Sequence, residues 1–171
     1  ATKGTQTPVI RAAYAALVVT DAGPEEIWKS SAGKARRYLI ESIGLIPAAN
    51  APLRAKFQPL LTALLADKNA DAQTRSAVFA ALPLMSPDKA GENFSVVADA
   101  LAAGQERNAA AKALIKFPKT SWDAGKAKAV TDSVLAYAKT VPAGDRSKQD
   151  SVEIITAAKE MASLQGDAGQ A

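Results

Sequence analysis

Apolar residues recur at helical spacing on both sides of a short polar segment, residues 67–71, near the middle of the chain. Before this segment, one helical face carries Leu60, Leu61, Leu64 and Leu65. After it, one face carries Ala77, Val78, Ala81 and Leu82. This pattern predicts two amphipathic helices joined by a turn. One antiparallel pair covers only part of each apolar face, so we expect neighbouring pairs to stack against it.

The same alternation of apolar stripes and breaks predicts about four helix pairs that follow a leading half-repeat. The predicted pairs are residues 25–30 with 34–46, 52–66 with 72–85, 87–104 with 105–117, and 120–141 with 145–164. The expected inward positions are Val9, Ala13, Ala16 and Leu17 in the leading helix, Phe94, Val97 and Leu101 and then Ala110, Ala113, Leu114 and Phe117 in the third pair, and Val130, Val134, Val152, Ile155 and Ala158 in the fourth. We expect residues 1–164 to form a single helical-repeat domain and residues 165–171 to form a flexible tail.

Helix boundaries follow from capping residues, glycine and proline. Thr7 with Pro8 is expected to begin the leading helix, and Asn50 and Asp71 to cap the helices of the second pair. Gly104 is expected to end a helix, and Pro83 to kink the one that contains it. A cap at Thr120 or Ser121 would begin the fourth pair, with Trp122 packed in a joint and its indole N–H bonded to a loop carbonyl.

Three of the second helices share a spaced pattern of an arginine, an apolar residue and a proline. The sets are Arg36, Ile43 and Pro47, then Arg75, Leu82 and Pro87, then Arg107, Leu114 and Pro118. The arginines are 39 and 32 residues apart, so the repeats are irregular. We expect each arginine to lie on the solvent side with its stem over the joint, each apolar residue to point inward, and each proline to end its helix.

Composition favours an all-α fold without a familiar active site. The chain has 39 alanines and 5% aromatic residues, which favours closely packed helices. It has no cysteine or histidine, which excludes thiolate nucleophiles, serine–histidine relays and the common zinc sites. Glycine-rich phosphate loops are absent, and the acidic pairs Glu25 with Glu26 and Asp67 with Asp71 lie at helix starts or turns. We therefore expect neither enzymatic activity nor a cofactor.

One lysine cluster stands out against a formal net charge of +4. It comprises Lys112, Lys116, Lys119, Lys126 and Lys128, and only Asp123 opposes it between positions 112 and 128. Such a cluster favours docking of an acidic protein surface, or of phosphates in a nucleic acid. The alternative is an ordinary solvated ridge that requires no partner. A stacking platform of Trp28, Tyr38 and Phe57 is a further alternative, although no regular spacing brings these rings together.

The segment LLADKNADAQTRSAVFAAL, residues 64–82, resembles the HEAT repeat, in which helix pairs meet at an acidic turn followed by an arginine. This resemblance implies a HEAT-like right-handed α-solenoid of antiparallel helix pairs. Architecture alone also makes the chain similar to HEAT-like DNA glycosylases, so a nucleic-acid-binding protein that uses the lysine cluster is the alternative function.

A second resemblance covers residues 11–164 and rests on residues in the segments 34–65 and 110–147 together with Arg11. These residues are Arg11, Arg37, Pro47, Leu53, Arg54, Pro118, Trp122, Tyr137, Pro142 and Arg146. The chain is similar to the helical segment of large secreted bacterial proteins that combine a sorbosone-dehydrogenase-like propeller, a cupredoxin-like domain and a c-type haem domain. The chain lacks the propeller, the copper ligands and the haem motif, so the resemblance implies no redox activity of its own. It implies a non-catalytic scaffold or spacer that docks a haem- or copper-containing partner, in an extracytoplasmic (periplasmic or secreted) location.

The chain contains no apolar run of membrane-spanning length, so we expect no membrane insertion. It begins without methionine and ends in the small, polar sequence QGDAGQA. We expect it to be a module of a longer protein.

Overall fold

The computed structural model describes residues 3–20 and 23–167, with side chains described for 6–20 and 23–164. Helices account for 82% of the structure, and the described residues contain no strand. The all-α prediction is therefore confirmed. Contacts divide the chain into two compact units, residues 1–87 and 88–171. That residues 1–164 form a single domain stays a prediction.

Unit 1 contains six described helices that pack in a repeating order. They are α1 (Lys3–Thr20), α2 (Gly23–Ser30), α3 (Gly33–Ser42), α4 (Ala51–Ala55), α5 (Gln58–Ala66) and α6 (Ala72–Ala81). Helices α1 and α6 both pack against α3, whereas α2 contacts α4. Helix α1 also packs on α2, and α5 on α6. Helices in equivalent positions of successive pairs are therefore neighbours.

The core of unit 1 follows the sequence pattern in the central helices. All four inward positions predicted for the second helix of the second pair, now α6 and the turn after it, are buried, namely Ala77, Val78, Ala81 and Leu82. In α5 only Leu61 is fully buried, and the other three leucines of the predicted face are half-buried. Phe57, just before α5, is also fully buried.

The helix predicted over residues 52–66 is two helices, because the chain turns at Lys56 and Phe57 between α4 and α5. Pro59 explains the break, since proline has no amide hydrogen and its ring clashes with the carbonyl four residues earlier, that of Ala55. The expected Asn50 side-chain cap is not formed. Asp71 does cap α6, because its carboxylate accepts a hydrogen bond from the Thr74 amide at 2.9 Å.

Proline ends α6 where we expected a kink. The helix stops at Ala81, and Pro83 lies in a 3₁₀ turn, Leu82–Leu84. Proline does not end α1, because this helix begins at Lys3 and continues through Pro8. The start predicted at Thr7 is therefore wrong.

The inward face predicted for α1 is wrong, because the buried residues lie on a neighbouring side of the helix. Val9 is 67% exposed and Leu17 is 46% exposed, whereas Ala15 and Val18 are buried. Residues 12–19 are apolar almost all round the helix, so periodicity does not single out one face.

Unit 2 is a four-helix arrangement of α7 (Ala90–Ala102), α8 (Arg107–Leu114), α9 (Ala127–Thr140) and α10 (Gln149–Asp167). Helix α7 packs on both α8 and α9, and α10 also packs on both α8 and α9. The predicted inward residues of α7, α8 and α9 are buried in the core between them, namely Phe94, Val97, Leu101, Ala110, Ala113, Leu114, Phe117, Val130 and Val134. Met161 of α10 completes this core.

Boundaries in unit 2 agree with the sequence at Gly104 and differ elsewhere. Gly104 has a left-handed backbone (φ +76°) just after α7, which glycine adopts without strain. Helix α9 begins at Ala127, not at the expected cap, because 3₁₀ turns at Lys119–Ser121 and Ala124–Lys126 flank an extended Trp122.

Helix α10 begins at Gln149, four residues later than predicted, and continues to Asp167, into the predicted tail. Residues 168–171 of that tail lie outside the described residues. Val152, predicted to be inward, is 47% exposed, whereas Ser151 and Ile154 are buried. Ala158 is buried as predicted.

Candidate docking surfaces

The lysine cluster divides between two sides of unit 2. Along α8 and α10, the Lys112 ammonium lies 3.0 Å from Glu153 and 3.4 Å from Asp150. Lys119, just after α8, forms an ion pair with Glu160 of α10. These two lysines therefore join the second helices of successive pairs.

The remaining lysines of the cluster pair elsewhere or remain unpaired. Lys126 lies 2.8 Å from Asp99 of α7, and Lys128 lies 2.6 Å from Asp132 within α9. Lys116 is exposed and has no ion-pair partner among the described residues. The acidic partners come from positions 99, 132, 150, 153 and 160, outside the local segment from which the cluster was predicted.

Protonation equilibria reflect these ion pairs. A hydrogen bond to Glu153 raises the pKa of Lys112, one to Asp99 raises that of Lys126, and one to Asp132 raises that of Lys128. The pKa of Glu153 is lowered, first by the Gln149 side chain and then by Lys112. Each paired carboxylate offsets the positive potential of its lysine, so four of the five lysines offer a partner less charge than the sequence suggests. Docking on this cluster stays a prediction.

Trp122 packs at the joint between the two helix pairs of unit 2, as predicted. Its ring stacks on Phe94 with centroids 5.3 Å apart, and its indole Nε1 donates to the Phe117 carbonyl at 3.1 Å. The Lys119 ammonium lies 3.6 Å from the centroid of the same ring. The joint therefore holds Lys119 by a cation–π contact as well as by its ion pair with Glu160.

The repeated arginines have a more specific role than we expected. The Arg36 guanidinium stacks 4.2 Å above the Trp28 ring and donates to the Trp28 carbonyl at 2.7 Å. Arg75 likewise donates to the carbonyl of Ala70 in the turn before its helix. Both arginines satisfy carbonyls at the connection between two helices of a pair, where helical hydrogen bonds end.

Arg107 differs, because it contacts the next helix. Its guanidinium lies 4.6 Å from the Tyr137 ring centroid and donates to the Ser133 hydroxyl of α9 at 3.4 Å. The apolar partners in the three arginine patterns, Ile43, Leu82 and Leu114, are all buried as predicted.

The structure does not form the stacking platform of three rings. Trp28 and Phe57 are in tilted contact with centroids 6.3 Å apart, but Phe57 is fully buried. Tyr38 instead lies near Lys34 and Arg37. A base or sugar therefore has no access to a stacked set of these rings.

An apolar groove between α9 and α10 was missed by sequence reasoning. Its volume is about 270 Å³, and its lining residues are Leu135, Tyr137, Ala138, Lys139, Val141, Arg146, Ser151 and Ile155. Leu135 is 54% exposed, and Val152, one turn before Ile155 on α10, is 47% exposed. Leu135 next to the inward Val134 was the signal in the sequence, because it places a large apolar side chain on the outer flank of α9.

Several of the described acidic residues form ion pairs or accept hydrogen bonds in turns, and no group of three or more metal-binding side chains occurs among the residues described. Glu26 pairs with Lys29 at 2.7 Å, Glu25 approaches Lys56 at 3.9 Å, and Asp67 accepts from the Asn69 amide at 2.9 Å. Within the described part of the chain, no helix is both long and apolar enough to span a membrane.

Comparison with known proteins gives no relative for this chain: no family model, no curated protein and no solved structure matches it.

Proposed function

We propose that this chain is a HEAT-like helical-repeat module that acts as a non-catalytic scaffold and docks another protein. The observation that carries this proposal is the packing order in unit 2. Helix α7 packs on α9 and α8 packs on α10, while α7 with α8 and α9 with α10 form the two pairs. Helices in equivalent positions stack in this way in helical-repeat proteins, whose extended surfaces bind partners.

Unit 1 supports the proposal independently, because α1, the predicted leading half-repeat, packs on α3, and α3 packs on α6, where α3 and α6 are the second helices of successive predicted pairs. Arg36 and Arg75 lie at equivalent positions in α3 and α6 and each donates to the preceding connection. A right-handed α-solenoid built from these pairs is the architecture that we propose for the whole module.

The α9–α10 groove is the docking surface that we propose within unit 2. It exposes Leu135 beside Lys139, which has no acidic partner among the described residues. The Arg146 guanidinium, held by the Val141 carbonyl at 3.2 Å, adds a second positive charge. Interfaces concentrate binding energy in apolar anchors surrounded by a polar rim. The groove therefore suits a partner that inserts an apolar side chain flanked by acidic residues.

The sequence resemblance suggests which partner this is, namely a haem- or copper-containing domain in an extracytoplasmic assembly. The test is a gentle purification from the native source of the assembly that carries this chain, followed by its visible absorption spectrum. A haem or blue-copper band that coelutes with the chain in near-equal amounts supports the proposal. A colourless preparation overturns the redox context, and a chain that elutes alone overturns docking.

Nucleic-acid binding is the second candidate, and one observation argues against it. Lys112, Lys119 and Lys126 are paired with carboxylates in the structure. A phosphate must therefore displace a carboxylate before it can pair with one of these lysines. Binding through three to five lysines predicts a slope of about −2.7 to −4.5 in log K against log salt for duplex DNA. Such a slope would favour this candidate over protein docking, and no binding at low salt would remove it.

A further inference from the structure

Arg54 is the one arginine whose side chain makes no hydrogen bond or ion pair with any described residue. Its Nε is buried and has no acceptor. The other six arginines of the chain all have partners: Arg11 with Glu41, Arg36 with Trp28 and Ser31, Arg37 with Gln73, Arg75 with Ala70, Arg107 with Ser133, and Arg146 with Val141. A guanidinium carries five donors, and a buried donor without an acceptor is costly. The described residues therefore supply no acceptor for the Arg54 side chain.

Arg54 lines a cleft of about 630 Å³ within unit 1, between the segment that contains α4 and the turn that follows α6. The cleft is lined by Ala48, Ala51, Pro52, Arg54, Ala55, Pro83, Leu84, Met85, Ser86 and Pro87. This volume is within the range of about 300 to 1,000 Å³ that is usual for small-ligand sites. Arg54 is the only charged residue of this lining, and Ser86 is its only other polar side chain.

The chain itself builds the walls of this cleft from small and rigid residues. Alanines at 48, 51 and 55 leave room beside the guanidinium. Pro52 lies in the first turn of α4, and Pro83 and Pro87 restrict the opposite wall. Leu84, 38% exposed, adds an apolar surface at the same wall. A ligand that enters this open cleft meets one positive charge between mostly apolar walls.

We propose that this cleft binds a carboxylate carried on a small apolar body, and that Arg54 is its anion-binding residue. Guanidinium and carboxylate match in a planar, two-bond geometry, so the two terminal nitrogens of Arg54, for which the described residues supply no acceptor, can both donate to one carboxylate. The alanine, proline and leucine walls then contact the apolar body. The carboxylate belongs either to a free aliphatic acid or to an acidic side chain of a peptide. This site lies in unit 1 and does not depend on docking at the α9–α10 groove.

Amide NMR of the ¹⁵N-labelled full chain tests the proposal with three probes: sodium hexanoate, neutral hexanamide, and the capped peptide acetyl-Ala-Glu-Leu-amide. We expect saturable shifts at the Ala55 and Leu84 amides with hexanoate or the peptide, and binding at least about tenfold weaker with hexanamide, because it lacks the charge-assisted bonds. The tighter of the two carboxylates identifies the source.

The Arg54→Gln variant is expected to lose at least about tenfold in affinity for the better probe. Its thermal unfolding temperature is expected to be no lower than that of the unaltered chain, because the variant breaks no protein hydrogen bond and removes a buried donor that lacks an acceptor. Lys56→Gln is the matched control, since it removes one positive charge two residues away on a side chain that does not line the cleft. The proposal is overturned if neither carboxylate gives saturable shifts at the cleft, if hexanamide binds equally well, or if Lys56→Gln weakens binding as much as Arg54→Gln.

Discussion

The ammonium of Lys112 on α8 lies 3.0 Å from a carboxylate oxygen of Glu153 on α10. Asn108, one turn earlier on α8, donates to the same carboxylate at 3.3 Å. A lysine that the sequence assigned to a docking cluster therefore contributes to the stacking of two second helices. In this unit, the surface charges of one repeat are partners for the next.

The ion pair predicts that Glu153→Gln lowers the pKa of Lys112 toward its ordinary value, because the main group that stabilises the ammonium is removed. NMR titration of the lysine Nζ and Cε resonances measures this. Lys128 is the internal control, since Asp132 of its own helix raises its pKa and the variant leaves that pair intact. An unchanged Lys112 titration in the variant would show that α8 and α10 are not paired as described.

Burial in α5 predicts unequal costs for two neighbouring leucines. Leu61 is fully buried and Leu64 is half-buried. We expect Leu61→Ala to lower the free energy of unfolding by about 2 to 5 kcal/mol, because it leaves a cavity in the core. Leu64→Ala is expected to cost about 1 kcal/mol, near the average for substitutions. Chemical denaturation of both variants decides the register of α5, and a larger loss for Leu64→Ala would reverse it.

The cap of α6 predicts a stability difference that depends on pH. Asp71 accepts hydrogen bonds from the Thr74 hydroxyl at 2.7 Å and from the Thr74 amide at 2.9 Å, which lower its pKa. Asp71→Ala is therefore expected to cost about 1 kcal/mol at neutral pH. A lowered folded-state pKa contributes stability above the unfolded value, about 4, and that stability is lost as the pH falls through the folded value.

Chemical denaturation of the unaltered chain and of Asp71→Ala between pH 7 and pH 2 measures this dependence. The difference between their free energies of unfolding should shrink below about pH 4. Asp71→Asn is the control, because asparagine also caps helices but carries no titrating group. If the difference in unfolding free energy between the unaltered chain and Asp71→Ala stays constant down to pH 2, the ionised carboxylate does not cause it.

The buried face of α7 could be predicted from sequence because its largest apolar residues recur at intervals of three and four. Phe94, Val97 and Leu101 are fully buried as expected, and small or polar residues fill most other positions of that helix. Helices α1 and α10 have apolar residues on adjacent faces, so Val9 and Val152 were assigned inward and are exposed. Only contacts with neighbouring helices choose between two such faces.

The surface was less predictable than the core, because ion pairs join residues that are distant in sequence. Lys119 and Glu160, or Lys126 and Asp99, cannot be matched before the helices that carry them are packed. Arg36 was expected to face solvent, but its bonds to the connection before α3 depend on the conformation of that turn. The Arg54 cleft combines two segments that follow different helices, and no local spacing indicates it.

Leu135→Asp in the α9–α10 groove decides whether this chain docks a protein partner through that groove. The measurement is the ratio of partner to chain in the size-exclusion peak of the assembly isolated from its native source. Leu45→Asp is the matched control, because Leu45 is 53% exposed and Leu135 54%, and Leu45 does not line the groove. We predict near-equal amounts of a haem- or copper-containing partner for the unaltered chain and for Leu45→Asp, and loss of the partner for Leu135→Asp. If the unaltered chain elutes alone, or if both variants retain the partner equally, the groove does not dock such a partner.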